Sequence, residues 1–431
     1  MKSLEKMFPD SILLRKKCLE TLFLCLEVLK MPNFDILDLV TSFQRRLNHV
    51  PRVFSRFLLG KIDWGDRLIG IRGARGCGKT TMLLQRILSG DTEQHKSLYA
   101  SLDHLWFSNH SLEELAEYHV THGGTHLYLD EVHHLDNWQT SLKNLYDDFP
   151  ELQIVYTGSS LLKIDSAGGD LSRRQIVYDL PGLSFREFIE LENGIQFPTF
   201  SLDDILSRHL EIATGISSKI SIMAMFDKYL RYGYYPFYRE VRRGFDLRLQ
   251  QIVNQVLERD YPATESVTIA TIRKTRKMLQ VLSESVPQTP NLNELCVELE
   301  TDRNQALKML DALARAGLLG LLMKAAKNLK RLGWPEKILM HNTNLMYALG
   351  TSVVEGTLRE TFFLNQLQVG HRLHLPEKGD FLVDGKHLFE VGGRRKSFRQ
   401  IQDIADSYLA VDDLEIGFGN RIPLWLFGFL Y

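Results

Sequence analysis

The sequence predicts an α/β protein whose first half is a parallel sheet bearing a phosphate-binding loop, with helical and then mixed α/β units behind it. Three observations carry this reading. Short apolar runs alternate with helical patterns between Arg52 and Asp179, the rhythm of strand–helix–strand units. Gly73-Ala-Arg-Gly-Cys-Gly-Lys79-Thr80 falls between an apolar strand and an apolar helix. Further on, His126-Leu-Tyr-Leu-Asp130-Glu131 is an apolar strand that ends in two carboxylates.

A chain of 431 residues is long enough for several domains. With 44% hydrophobic and 24% charged residues it is neither disordered, nor collagen-like, nor a coiled coil. Its formal charge of −1 gives no global attraction to nucleic acid, so any such contact needs a local patch. Cys18, Cys25, Cys77 and Cys296 lack CxxC spacing. That argues against a disulfide scaffold or zinc ribbon and for a reducing, cytoplasmic setting. Leu19–Leu29 is apolar behind Arg15, Lys16 and Lys17, but Glu20 and Glu27 interrupt it and no cleavage site follows. An amphipathic helix is expected there, and no membrane partner.

Taken in order, residues 1–50 form an N-terminal helical segment and residues 51–183 the sheet domain. Its strands are expected at Leu68–Arg72, Ser97–Leu102, His126–Asp130 and Gln153–Thr157, and its helices at Thr80–Leu88, Ser111–His119 and Asn137–Phe149. Residues 184–265 read as a helical lid with a Tyr-rich break at Arg231–Pro236. Residues 266–335 run helix, helix, helix, then apolar Leu318–Met323 and a basic turn, the outline of a winged helix. Residues 336–431 bring a helix at Leu358–Leu367 and strands at Asp380–Val383 and His387–Val391. A helix near Ser397–Tyr408 and a strand at Ile422–Tyr431 are expected to close the chain.

The loop Gly73, Ala74, Arg75, Gly76, Cys77, Gly78, Lys79, Thr80, with Thr81 behind it, fits G-x-x-x-x-G-K-[ST]. Glycines let backbone N–H groups turn inward around a β-phosphate, Lys79 supplies a point charge, and Thr80 offers a hydroxyl to Mg²⁺. The helix start adds its positive end. Asp130 is placed to hold the Mg²⁺, and Glu131 to orient or deprotonate a water attacking the γ-phosphate. The next strand ends Tyr156-Thr157-Gly158-Ser159-Ser160, and Ser159 is favoured over Thr157 as a second polar contact, a helix cap being the plain alternative. Arg173 and Arg174 follow, as an arginine finger or as ordinary surface charge.

The P-loop, the LYLDE strand, the TGSS strand end and Leu183-Ser-Phe-Arg-Glu-Phe188 together resemble the prokaryotic AAA+ superfamily ATPases with an AAA_14-type core and a DUF4143-type C-terminal region. Phe226-Asp-Lys-Tyr-Leu-Arg-Tyr-Gly-Tyr-Tyr-Pro236 is similar to that family's "yL..GG.P" segment, with Tyr234 where a second Gly is often seen. The resemblance implies an ATPase core, a helical lid, a winged helix and a nuclease-like C-terminal domain, with ATP and Mg²⁺ as ligands.

Thr301-Asp302 can cap a helix to Ala316 with Ala306, Leu307, Leu310 and Leu313 inward. Its outer face shows Arg303, Asn304, Lys308 and Arg315, and the following turn adds Lys324, Lys327, Lys330 and Arg331. Such a patch suits phosphate contact with DNA, or equally a solvated face or protein-docking wing. Asp380-Phe-Leu-Val-Asp384 and Leu388-Phe-Glu390-Val-Gly392 resemble a restriction-endonuclease-like core, to which Glu360 can contribute. Gly392 stands where the usual Glu-x-Lys lysine would, and neither Lys386 nor Lys396 has its spacing; a degenerate, binding domain is expected. His119, His122, His126, His133 and His134 crowd together without the spacing of a metal site.

The functional expectation is an ATPase that converts nucleotide state into movement of its later domains, acting on DNA or a DNA-bound partner, with oligomers allowed. A nucleotide-gated protein-interaction module with little turnover and an ATP-controlled nuclease stand as alternatives.

Overall fold

The computed structural model describes residues 36–90, 94–159, 171–264, 267–284, 292–324 and 335–431. The apolar stretch Leu19–Leu29 and the basic residues Lys327, Lys330 and Arg331 lie outside them. Among the described residues no helix is long and apolar enough to cross a membrane.

The first layer is a five-stranded, all-parallel sheet. Its strands are β1 (Leu68–Gly73), β2 (Ser97–Ser101), β3 (His126–Asp130), β4 (Gln153–Ser159) and β5 (Ile176–Asp179), in the order β2-β3-β4-β1-β5. β1, β2, β3 and β4 are almost wholly buried, which is why they read as continuous apolar runs rather than alternating ones. β5 was not anticipated. It lies at the sheet edge with both ends exposed, and its apolar run Ile176-Val177-Tyr178 is only three residues long, too short to mark a strand. Helices Lys79–Ser89, Leu112–Thr121 and Trp138–Asp148 connect the strands, and Ile36–His49 packs Leu39, Phe43 and Leu47 into the same core.

That core ends at Leu180, and a second begins at Phe185. The joint is tied by Arg56. Its guanidinium reaches Glu187 and the carbonyls of Cys77, Pro181 and Gly182, and both charged side chains are buried. Burial works against the Arg56 charge, but Glu187 more than offsets it and holds the group protonated. Ser184 and Glu187 form a reciprocal cap on Phe185–Asn193.

The second core is shared by everything that follows. Helices Leu202–Ser217, Ile222–Lys228 and Phe245–Gln255 make up most of residues 184–265, the segment expected to form a lid. The Tyr-rich break is a π-turn at Tyr229–Gly233 followed by a 3₁₀ turn at Pro236–Arg239, and a second π-turn occupies Val256–Asp260. Next come three helices, Ile269–Glu284, Leu292–Glu298 and Arg303–Arg315, and a hairpin of β6 (Leu319–Leu322) with β7 (Lys337–Met340). The Asp302 carboxylate accepts from the N–H groups of Asn304 and Gln305, as the sequence leads one to expect.

The last sheet has the order β12-β11-β10-β9-β8 from β8 (Leu373–His374), β9 (Phe381–Val383), β10 (His387–Gly392), β11 (Ser407–Val411) and β12 (Arg421–Pro423). β10, β11 and β12 are parallel, and β8 and β9 are antiparallel additions. Helix Glu355–Leu367 lies on it, with Phe363 against Phe381, Phe389 and Phe427. Two expectations are corrected here. Phe398, Ile401, Ile404 and Tyr408 have helical spacing, but Ile404 stays exposed while Ile401 is buried, and Ser407 instead pairs with Leu388 in β11. Ile422–Tyr431 is a short strand and then a 3₁₀ turn, Leu424–Phe429, wholly buried on the second core; an unbroken apolar run does not tell strand from buried turn.

Candidate nucleotide site

β1, between β4 and β5, delivers the chain into the loop at Gly73, which pairs with Ser159 of β4. Gly76 and Gly78 have φ of 86° and 97°, the left-handed region that side chains disfavour. Gly78 caps the helix Lys79–Ser89, so the first N–H groups of that helix face the loop. Cys77 turns inward and is buried, leaving its carbonyl to Arg56. The Lys79 ammonium donates to the carbonyls of Gly73 (2.9 Å) and Ala74 (3.3 Å) and lies 3.8 Å from Glu131. Burial opposes its charge, but Cys77, Glu131 and Asp130 outweigh that and raise its pKa.

The two carboxylates separate at the end of β3. Asp130 is buried and accepts from three hydroxyls: Thr80 at 2.6 Å, Tyr99 at 2.8 Å, and Thr157. Burial, with the Asp130 charge beside it, pushes the Tyr99 phenol up, so it remains a donor. Glu131 has φ 55°, unusual for a residue with a side chain; such backbone costs on the order of 1–3 kcal/mol and collects at functional sites. Its N–H donates to Thr157 at 3.0 Å. The kink turns the side chain toward Lys79 on one side and His133, at 3.3 Å, on the other.

Loop and lid enclose a cavity of about 640 Å³. Gly76, Gly78, Lys79, Thr80, Thr81 and Glu131 are among the residues that line it. Pro51, Val53, Phe54, Leu191, Pro236 and Phe237 add apolar side chains to the lining, and Arg56, Gln85, Arg239 and Glu240 add polar ones, a mixture that suits an organic phosphate. Val53 is 92% exposed, an apolar side chain open to this cavity. A side chain at Gly76 would reach within 2.9 Å of Phe237, so loop and lid are in direct contact. Arg75 leaves the loop in the opposite direction and forks onto Asp260 of the lid, with Nη2–Oδ1 at 3.0 Å.

The other expected residues are distributed as follows. Ser159 is buried at the end of β4, while Thr157, ranked second from sequence, is the residue that joins Asp130 to Glu131. Arg174 is bound to Asp147 at 2.9 Å and lies over Tyr146, and Arg173 is exposed nearby. Arg303 and Lys308 are exposed on their helix, Arg315 pairs with Asp311, and Lys324 pairs with Glu336. Tyr99, Asp260 and His133 were not singled out for the site. Tyr99 lies in the wholly buried β2, whereas Asp260 and His133 have exposed neighbours and carry no such signal; His133 reads from sequence as a loop histidine.

The C-terminal carboxylates do converge, each on an ammonium. Lys396 lies 2.6 Å from Glu390, and Lys337 lies 2.9 Å from Glu360 and 3.9 Å from Asp380. Burial raises the Glu360 pKa, with Lys337 only partly offsetting it. Gly392 has a concrete role: a Cβ there would fall 2.7–2.8 Å from the Lys396 side chain, which crosses over it. Lys396 thus reaches the carboxylates from outside the motif's spacing.

Residues 65–189 match the family model described as "AAA domain", and the sheet domain is a AAA-type P-loop core in fold. Residues 223–355 match "Domain of unknown function (DUF8612)", rather than the DUF4143-type region that the resemblance implied. An uncharacterized protein of Methanocaldococcus jannaschii is 26% identical over 81% of this chain and 80% of its own length. Among solved structures, a DNA replication initiation factor is 16% identical, covering 59% of this chain and 84% of that one, with a TM-score of 0.25. AMPPCP-bound DnaA from Aquifex aeolicus is 16% identical, covering 66% and 92%, with a TM-score of 0.24. Superpositions this loose carry no functional argument.

Proposed function

We propose that the protein binds ATP with Mg²⁺ in this cleft and hydrolyses it, using the lid to pass nucleotide state to the later domains. One observation supports this above the rest: the Thr80 hydroxyl and Asp130 carboxylate meet at 2.6 Å beside Lys79, with Glu131 one residue on. A hydroxyl and a carboxylate side by side are the hard oxygen donors that Mg²⁺ takes, so these residues fit the ion and would hold it. When bound, Mg²⁺ neutralises charge on the β- and γ-phosphoryl oxygens.

The chain's own residues do the rest. Lys79 exchanges its loop carbonyls for phosphoryl oxygens, and the N–H groups at the start of helix Lys79–Ser89 face the same anions. Water attacks the γ-phosphorus in line, the bond to the β–γ bridging oxygen breaks, and Glu131 orients that water and accepts its proton. The apolar lining residues Val53, Phe54 and Phe237 would carry the adenosine. Contact between Gly76 and Phe237, and between Arg75 and Asp260, gives the lid two handles on the phosphate loop.

The three helices and hairpin of residues 267–340 read as a winged helix, with Arg303 and Lys308 the exposed charges that could meet DNA phosphates. Lys324 is already paired, which narrows that patch. The lysine-paired carboxylates of the last domain favour binding over cutting, so a nucleotide-gated interaction module is the second reading. Ser159, Arg173 and Arg174 are assigned no step.

Calorimetry and steady-state turnover test the proposal. Wild-type protein should bind ATP–Mg²⁺, Lys79→Ala should not, and Glu131→Gln should bind without turning over. Wild-type turnover by Glu131→Gln would remove Glu131 from its role. DNA that stimulates hydrolysis supports the motor reading, and the absence of stimulation supports the interaction module. Incubating duplex and single-stranded DNA with Mg²⁺ or Mn²⁺ tests for cutting.

A further inference from the structure

Beside Glu131 lies a group of ligand atoms that the reading above does not use. The chain after Glu131 makes a 3₁₀ turn, Val132–His134, with the His134 N–H donating to the Glu131 carbonyl at 3.1 Å. Residues three apart eclipse in such a turn, which brings His134 round to the side of Glu131. One carboxylate oxygen of Glu131 and one nitrogen each of His133 and His134 lie within 4.8 Å of one another. The two imidazole rings are 4.5 Å apart, with 33° between their planes, so the turn draws together two histidines that would diverge on an α-helix. The His133 side chain is 3% exposed, with Nδ1 3.3 Å from Glu131 Oε2, yet neither nitrogen has a hydrogen-bond partner among the described residues. A buried polar group left so is costly unless a ligand meets it.

We infer that Glu131, His133 and His134 form a site for a borderline transition-metal cation, Zn²⁺ foremost, and that its occupation withholds Glu131 from the attacking water. The second half of this rests on the hydrolytic reading of the cleft. Two imidazoles and a carboxylate are a donor set that Zn²⁺ takes with a water in the fourth position, whereas Mg²⁺ takes oxygen. The site is thus chemically distinct from Thr80 and Asp130. The Lys79 charge opposes a cation here, but it lies 3.8 Å from Oε1, while Oε2 is the oxygen beside His133. Nε2 of His133 faces Asp260 at 3.8 Å, the kind of outer carboxylate that orients a ligating histidine. His134 is exposed and lines a second cavity, of about 580 Å³, with Asp103 and His104, so a cation can enter without passing the nucleotide. A carboxylate held by a dication is a poor proton acceptor. Hydrolysis therefore slows when the site fills.

Co²⁺ reads the site directly, because it takes the same donors as Zn²⁺ and its visible absorption strengthens in four-coordinate sites. The full-length chain without nucleotide, titrated with Co²⁺ in excess Mg²⁺, should show that band, and Zn²⁺ should abolish it. His134→Ala, a change at an exposed side chain, should weaken Co²⁺ binding about a hundredfold, since even an outer partner of a ligand is worth roughly 10–100-fold. No band in the wild type, displacement by Mg²⁺, or an unchanged titration in His134→Ala overturns the inference. Turnover gives a second reading. Free Zn²⁺ at ten times its measured Kd should slow wild-type hydrolysis about tenfold, in line with the fraction of protein left free. His134→Ala should turn over at the wild-type rate without Zn²⁺ and keep that rate when Zn²⁺ is added. Equal slowing of the two proteins overturns the link to Glu131. Failure of the hydrolytic reading looks different: the cobalt band appears, but the wild type does not turn over even without Zn²⁺, or Glu131→Gln matches it.

Discussion

The Thr80 hydroxyl donates to Asp130 at 2.6 Å, joining the first turn of the loop's helix to the end of a strand two positions away in the sheet. Tyr99 and Thr157 donate to the same carboxylate. Asp130→Ala should therefore weaken ATP binding about tenfold or more in Mg²⁺, the scale of a hydrogen bond to a charged group. In EDTA the difference from wild type should shrink. Titration calorimetry in the two buffers checks it.

Tyr156 crosses the face of β1 at Gly70. An added Cβ there would meet the tyrosine ring and hydroxyl at 2.6–2.7 Å, and Tyr156 is buried against Trp138. Gly70→Ala should destabilise the protein by about 1–3 kcal/mol, the usual range for overpacking. Urea unfolding measures this.

Gly392→Ala should displace Lys396 from Glu390 for the same steric reason. Glu390 is 2% exposed, and stripping a buried charge of its partner costs about 3–5 kcal/mol. In a Lys396→Ala background, where that partner is already missing, the glycine substitution should add little. The double-mutant comparison by urea unfolding separates lost pairing from backbone strain.

His341 supplies a pH dependence. Burial pushes its pKa down from 6.5 to about 4, while in the unfolded chain it titrates near its ordinary value. Between those two values the unfolded state binds a proton that the folded state refuses. Stability from this group is complete above pH 6.5 and falls as pH drops toward 4. The unfolding free energy of His341→Gln should fall less steeply over that window than that of the wild type.

How much was legible in advance follows the range of the interactions. Loop, strand and carboxylate pair could be read because their chemistry is local: glycines at fixed spacing, an ammonium beside them, and two acids where an apolar run stops. The four buried strands β1 to β4 and the helices between them were legible for the same reason, since full burial writes itself into a run of apolar residues. β5 and the hairpin partner β7 were not, because their apolar runs, Ile176–Tyr178 and Ile338–Met340, are only three residues long and do not mark a strand. The false helix at Ser397–Tyr408 shows the converse: its spacing satisfied a helix, but pairing with Leu388 decided the outcome.

The sequence by itself determined that a phosphate loop and an acidic strand end exist in one sheet domain. Only the tertiary structure decided what surrounds them. Asp260 meets Arg75 across 185 residues and approaches His133 from the lid. Lys396 reaches Glu390 because Gly392 leaves room, and Thr157 displaces Ser159 as the inner contact because of where β4 lies against β3. Charges far apart along the chain leave no periodicity or spacing to read. They come together when the burial of two apolar cores has fixed the backbone that carries them.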